Sequence, residues 1–238
     1  LHSHASVVLP PVVSTTDAAV DPQKHALSRQ VLFVGNFAHA PNVTAAQWMV
    51  EEIWPSIHEQ RPDLQLLIAG KNPPDGLDRH PSIQVLGYVE DLSELLNRVQ
   101  VGLAPLLEGA GVKGKVLSSL AHGLPMVTTP IGAEGILNGQ RNCDAVRVSE
   151  NAEGLAALVV ELSDCSLEQR EALASRGRGF IADHFSPAAL ISSFRLMLEQ
   201  LHLPYQNETT SFQPYQPRSS DLRFDEANSF NHWSHPLA

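Results

Sequence analysis

The stretch that decides the fold runs from Val101-Gly102-Leu103-Ala104 through Gly109-Ala110-Gly111-Val112-Lys113-Gly114-Lys115 to His122. Four apolar residues make a buried strand, three small residues leave a bare turn, and a helical pattern starts at about Lys113. A strand passing through a glycine turn into a helix is the repeating unit of a parallel α/β sheet.

The same unit recurs on both sides. Upstream, Val31 to Val34 is a strand stopped by Gly35, Leu64 to Ala69 one stopped by Gly70, and Ile83 to Leu86 one followed by Gly87. Downstream, Met126 to Thr128 and Ala145 to Val148 complete six strands. Between the first two, Asn42 is expected to cap a helix reaching Gln60, with Ala46, Met49, Val50, Ile53 and Ile57 on one face and a bend or break at Pro55. Asp91 with Glu94 starts a short helix through Val99. Helices over 151–163, 167–183 (capped by Ser166 with Gln169) and 187–201 close the pattern. The fold class is therefore α/β, a Rossmann-like parallel sheet with helices on both faces. Ligands of such sheets bind at the carboxyl ends of the strands, and glycine turns at Gly35, Gly87 and residues 109–115 converge on that rim.

Composition sets limits. The 238 residues suffice for one sizeable core. The 26 acidic against 16 basic residues give a net charge of −10, which argues against a nucleic-acid partner. No apolar run is long enough to cross a bilayer, and Leu1 to Pro10 lack a basic leader pattern, so no signal peptide is expected. Residues 1–29 read as an interdomain linker or the remnant of a preceding domain, 30–201 as the folded domain, and 202–238 as a disordered tail.

Around residues 109–115 the chemistry becomes specific. Gly109, Ala110 and Gly111 leave backbone N–H groups bare, and the helix that follows presents unpaired N–H groups and a partial positive charge. Lys113 and Lys115 add two full charges. A departing diphosphate needs such donors, and the arrangement works without a divalent metal. The spacing alone leaves a second reading open, in which the small residues only let the helix approach the sheet and both lysines are solvated.

A series of motifs bears on the choice. Phe33-Val34-Gly35-Asn36-Phe37 with Pro41-Asn42, Ile53-Trp54-Pro55, Leu67-Ile68-Ala69-Gly70, Gly87-Tyr88-Val89-Glu90-Asp91-Leu92, Gly109 to Lys115, Gly123-Leu124-Pro125-Met126-Val127 and Gly132-Ala133-Glu134-Gly135 follow one another in order. Over about residues 30–200 this resembles the C-terminal, donor-binding domain of GT-B glycosyltransferases of the retaining family-4 group.

The resemblance implies a donor diphosphate held by Gly109, Ala110, Gly111, Val112, Lys113 and Lys115. Gly35 and Asn36 face it across the cleft, and the backbone of Tyr88 and Val89 reads the base. Position 118 usually carries a glutamate for the ribose, and a second glutamate lies eight positions before it; here these are Ser118 and Ala110. Glu108 takes the place of the earlier one if the loop is displaced, so it joins Lys113 and Lys115 as a catalytic candidate. Glu134 is a further candidate contact to the donor.

The expected substrate is a UDP- or GDP-linked sugar, with no metal and no cofactor. The expected partner is an N-terminal Rossmann-like domain carrying the acceptor site, and the expected location is the cytoplasm or the membrane periphery. Two alternatives remain: a non-catalytic nucleotide-sugar-binding or assembly module, favoured by Ser118 and Ala110, and a nucleotide-sugar 2-epimerase of the same architecture.

Overall fold

The computed structural model describes residues 11–13, 28–138 and 141–200. Most of the segment read as a linker, and all of 202–238, lie outside the described residues. Of the linker, Val13 is seen to donate its N–H to the Phe185 carbonyl (2.8 Å) and to pack on a core cluster containing Phe180, Ile181 and Phe185.

Six strands form one parallel sheet in the order β3-β2-β1-β4-β5-β6. They are β1 (Gln30–Val34), β2 (Gln65–Ala69), β3 (Ile83–Gly87), β4 (Val101–Ala104), β5 (Met126–Thr128) and β6 (Val146–Val148). The chain winds outward from β1 to β3, then returns to lay β4 against the other side of β1. The loops after β1 and β4 therefore diverge from a shared crevice, the place where sheets of this order bind ligands.

Side-chain alternation buries both faces, as strands covered on both sides require. Val31, Phe33, Leu66, Ile68, Leu103 and Val127 point into one core, shared with Met49, Ile53, Trp54 and Val159. Leu32, Leu67 and Ala69 meet Leu95, Leu96 and Val99 on the opposite face. Ala104, Met126 and Val146 meet Leu117, Leu120 and Ile181 there.

The helices are α1 (Ala40–Trp48), α2 (Trp54–Gln60), α3 (Leu92–Leu96), α4 (Gly114–Ala121), α5 (Ala152–Ser163), α6 (Leu167–His184) and α7 (Pro187–Gln200). Two details differ from the sequence reading. Asn42 does not cap α1: His39 occupies the N-cap position, and the Asn42 side chain turns elsewhere. The interruption expected at Pro55 lies just before it: residues Met49–Ile53 form a π-helical turn in which the Trp54 N–H bonds to Met49 O, five residues back, and α2 starts afresh at Trp54 with Pro55 in its first turn. A wider turn just before a proline relieves the clash its ring would make with the carbonyl four residues earlier. The Ser166/Gln169 capping box forms as expected, and Asp91 caps α3 by accepting from the Ser93 N–H.

Candidate functional site

The loop after β1 is wedged in place. Gly35 N–H donates to Ala69 O (2.9 Å) and Phe37 N–H to Lys71 O (3.0 Å). A Cβ on Gly70 would sit 1.6 Å from the Gly35 oxygen, so only glycine fits there. Gly35 itself has no spare room, since a Cβ would lie 3.0 Å from both Asn42 Cγ and the Phe33 ring. Its bare face is thus filled by protein, and the neighbouring exposed Asn36 is what the turn offers to the crevice.

Across the crevice, the loop after β4 is held from behind. Thr128 Oγ1 donates to Ala104 O (2.6 Å) and Thr129 Oγ1 to Leu106 O (2.5 Å), both buried. Gly109 and Gly111 adopt positive φ (109° and 76°), which a side chain would resist. No atom lies within 4 Å of a Cβ built on Gly111 or Gly114, so the backbone there is open to an approaching group. α4 then begins with Lys113 in extended geometry as its N-cap residue and no side-chain cap. Its first N–H groups are left for an outside acceptor.

The two lysines are placed differently. Lys115 is half-buried; its Nζ donates to Asn42 Oδ1 (2.5 Å) and lies 4.7 Å from the Phe33 ring centre. No carboxylate pairs with it among the described residues. Burial, with the nearby Lys113 charge, lowers its pKa to about 7. Lys113 is 10% exposed and donates to Gly109 O (3.2 Å), Gly111 O (2.5 Å) and Glu134 Oε2 (3.4 Å), folding over its own loop.

The remaining candidates fall around this pair. Glu108 accepts from Thr44 Oγ1 (3.3 Å), tying the β4 loop to α1. Val112 is covered by the turn at Gly135. Ser118 lies one helical turn beyond Lys115, half-buried, and its carbonyl accepts from His122 Nδ1 (2.8 Å). Ala110 is exposed beside the open backbone. Tyr88 and Val89 follow β3, separated from β4 by β2 and β1. Tyr88 is exposed with Lys71 Nζ 4.5 Å over its ring, whereas Val89 packs its side chain into the core and leaves only backbone for recognition.

Four contributors escaped the sequence reading: Asn42, Phe33, Thr128 and Thr129. Asn42 and Phe33 stood in quoted motifs, where Asn42 read as a cap and Phe33 as part of a buried strand. Among the described residues, no group of three or more His, Cys, Asp or Glu is placed to hold a metal, and no helix is long and apolar enough to cross a membrane.

The model for "Glycosyl transferases group 1" matches residues 28–165, more than half of the chain. The chain belongs to that family. A Klebsiella pneumoniae protein described as an uncharacterised 44.6 kDa protein in the cps region is 25% identical over 175 residues, covering 68% of this chain and 44% of its own length. This group 1 chain thus spans less than half of that relative. Among solved structures, a variant of S. aureus TarM in complex with fondaparinux, alpha-GlcNAc-glycerol and UDP superposes with a TM-score of 0.63 at 12% identity (80% of this chain, 39% of that one). A glycosyltransferase from Rickettsia africae gives 0.60 at 18% (82% and 57%). At these identities the likeness establishes a shared GT-B-type fold, and with the family match it does not favour an epimerase.

Proposed function

We propose that this chain is the donor-binding half of a glycosyltransferase that moves a sugar from a nucleotide diphosphate to an acceptor with retention. The observation that carries the reading is the Lys115 ammonium at the start of α4. It sits in the β1–β4 crevice without a carboxylate partner among the described residues, beside a glycine backbone open to an anion. An uncompensated charge at a helix N-terminus is stabilised by a bound anion. The UDP in the TarM complex supports a nucleoside diphosphate as that anion.

Negative charge grows on the diphosphate as its bond to the anomeric carbon breaks. Lys115, the first N–H groups of α4, and Lys113 once released from its loop carbonyls meet that charge in fixed positions. The Tyr88–Val89 backbone reads the base, and Ser118 offers the ribose one uncharged hydrogen bond. The acceptor attacks from the face the diphosphate leaves, and an N-terminal domain supplies its site. Ala110 and Ser118 stand where the family carries glutamates, and this favours the second reading, a nucleotide-sugar-binding module without turnover.

Titration calorimetry with UDP and GDP, on the wild type and on a Lys113→Ala/Lys115→Ala double variant, tests the reading. Saturable binding lost in the folded double variant supports it and selects the base. Binding that survives in the double variant removes the diphosphate from this loop. Binding without transfer, once the companion domain is supplied, leaves the module reading.

A further inference from the structure

Asn42 touches both sides of the crevice. Its Nδ2 donates to Asn36 O (2.8 Å) in the turn after β1, and its Oδ1 accepts from Lys115 Nζ (2.5 Å) at the start of α4. The amide orientation follows from its partners, because an ammonium can only donate and a carbonyl can only accept. The same ammonium lies over the Phe33 ring, 4.7 Å from its centre, a cation–π distance. Gly35 leaves the room this needs, since its absent Cβ would lie 3.0–3.1 Å from Asn42 Cγ and Cβ. A residue spending both ends of its amide on other segments, and none on its own helix, is doing more than starting α1.

We propose that Asn42 is the positioning residue of the donor site, clamping the Lys115 ammonium against Phe33 at the β1–β4 crevice so that a diphosphate meets a charge already fixed in place. A lysine held this way has given up its rotamer freedom before the ligand arrives, which favours binding. The same amide couples that charge to the Asn36 backbone, so the start of α4 at Lys115 is tied to the turn after β1. The inference rests on the donor-binding reading above and names a residue that reading does not require.

The test uses the 238-residue chain as wild type, Asn42→Ala, Asn42→Asp and Gly35→Ala, each checked for folding by circular dichroism. The readouts are calorimetry with UDP and the NMR titration of the Lys115 ε-methylene, assigned with Lys115→Arg. Asn42→Ala is expected to weaken UDP binding about tenfold, the scale of one charge-assisted hydrogen bond. Asn42→Asp nearly preserves shape, so it folds. It is expected to raise the Lys115 titration by about 1–3 units and to weaken UDP because its carboxylate occupies the ammonium. Gly35→Ala reproduces the Asn42→Ala loss by pushing the amide aside. A folded Asn42→Ala with wild-type UDP affinity overturns the proposal, as does an unmoved Lys115 titration in Asn42→Asp. If the wild type binds neither UDP nor GDP while Asn42→Asp still moves that titration, the clamp exists but the donor reading falls, and the positioning role falls with it.

Discussion

Lys115 is the residue whose surroundings make the sharpest forecast. Burial and the Lys113 charge lower its pKa to about 7, so the neutral form gains as the pH rises above that value. A diphosphate alongside favours the charged form, and binding should therefore take up a proton. Apparent UDP affinity is expected to fall as pH rises from 7 to 9, by at most about tenfold per unit. Calorimetry at pH 8 in buffers of different ionisation heat checks this, and buffer-independent heats would refute it. The same lowered pKa acts on stability. The unfolded lysine keeps its proton up to its ordinary value near 10.5, so between about 7 and 10.5 the unfolded chain holds more protons and this group makes the fold more stable with rising pH. At the opposite lip, Gly70→Ala forces a methyl onto the Gly35 oxygen. Urea unfolding should show a loss of about 1–3 kcal/mol, the usual cost of overpacking, with UDP affinity reduced as the Gly35–Asn36 turn shifts.

Among the elements, α6 shows how stability and site are kept apart. Its buried Arg170 donates to Leu162 O (2.7 Å) and Ser163 O (2.9 Å) at the end of α5, and to Gln100 O and Oε1 (3.3 Å each) just before β4. These groups lie at the amino end of β4, away from the crevice. Arg170→Met should orphan these carbonyls at about 1–3 kcal/mol each and lower the melting temperature. The UDP dissociation constant of the folded variant should stay unchanged, and a parallel loss of affinity would contradict that separation. What the sequence disclosed differs at this scale. Strands were legible because apolar runs such as Leu66-Leu67-Ile68 end at glycines, and the Ser166/Gln169 box because its partners are three residues apart. Asn42 was misread because an Asx beside a helix start is a cap by every local rule, while its partner Lys115 lies 73 residues away. Thr128 and Thr129 escaped for the same reason: their acceptors are on β4 and beyond it.

At the scale of the whole molecule, alternation of strand and helix revealed the class but not the strand order, because the outward run and the return to β1 use the same local signals. The order is what brings residues 35–36 and 109–115 to one crevice. Since the chain spans 44% of the Klebsiella relative, binding and turnover are expected to separate in experiment. UDP at 100 times its dissociation constant should stabilise the folded chain by about 2.7 kcal/mol. Sugar transfer should appear only when a companion domain is added, and transfer by this chain alone would place the acceptor site within it.

The two lips of the crevice are unequal. Gly35 is pressed between the Gly70 backbone on one side and the Asn42 amide on the other, while a Cβ on Gly111 or Gly114 would meet nothing. A vise has one stationary jaw and one that travels, and here the stationary jaw is the turn after β1. Accommodation to donors of different bulk therefore falls to residues 109–114. Amide hydrogen exchange should slow there on nucleotide binding while Gly35 and Phe37, already protected, barely change.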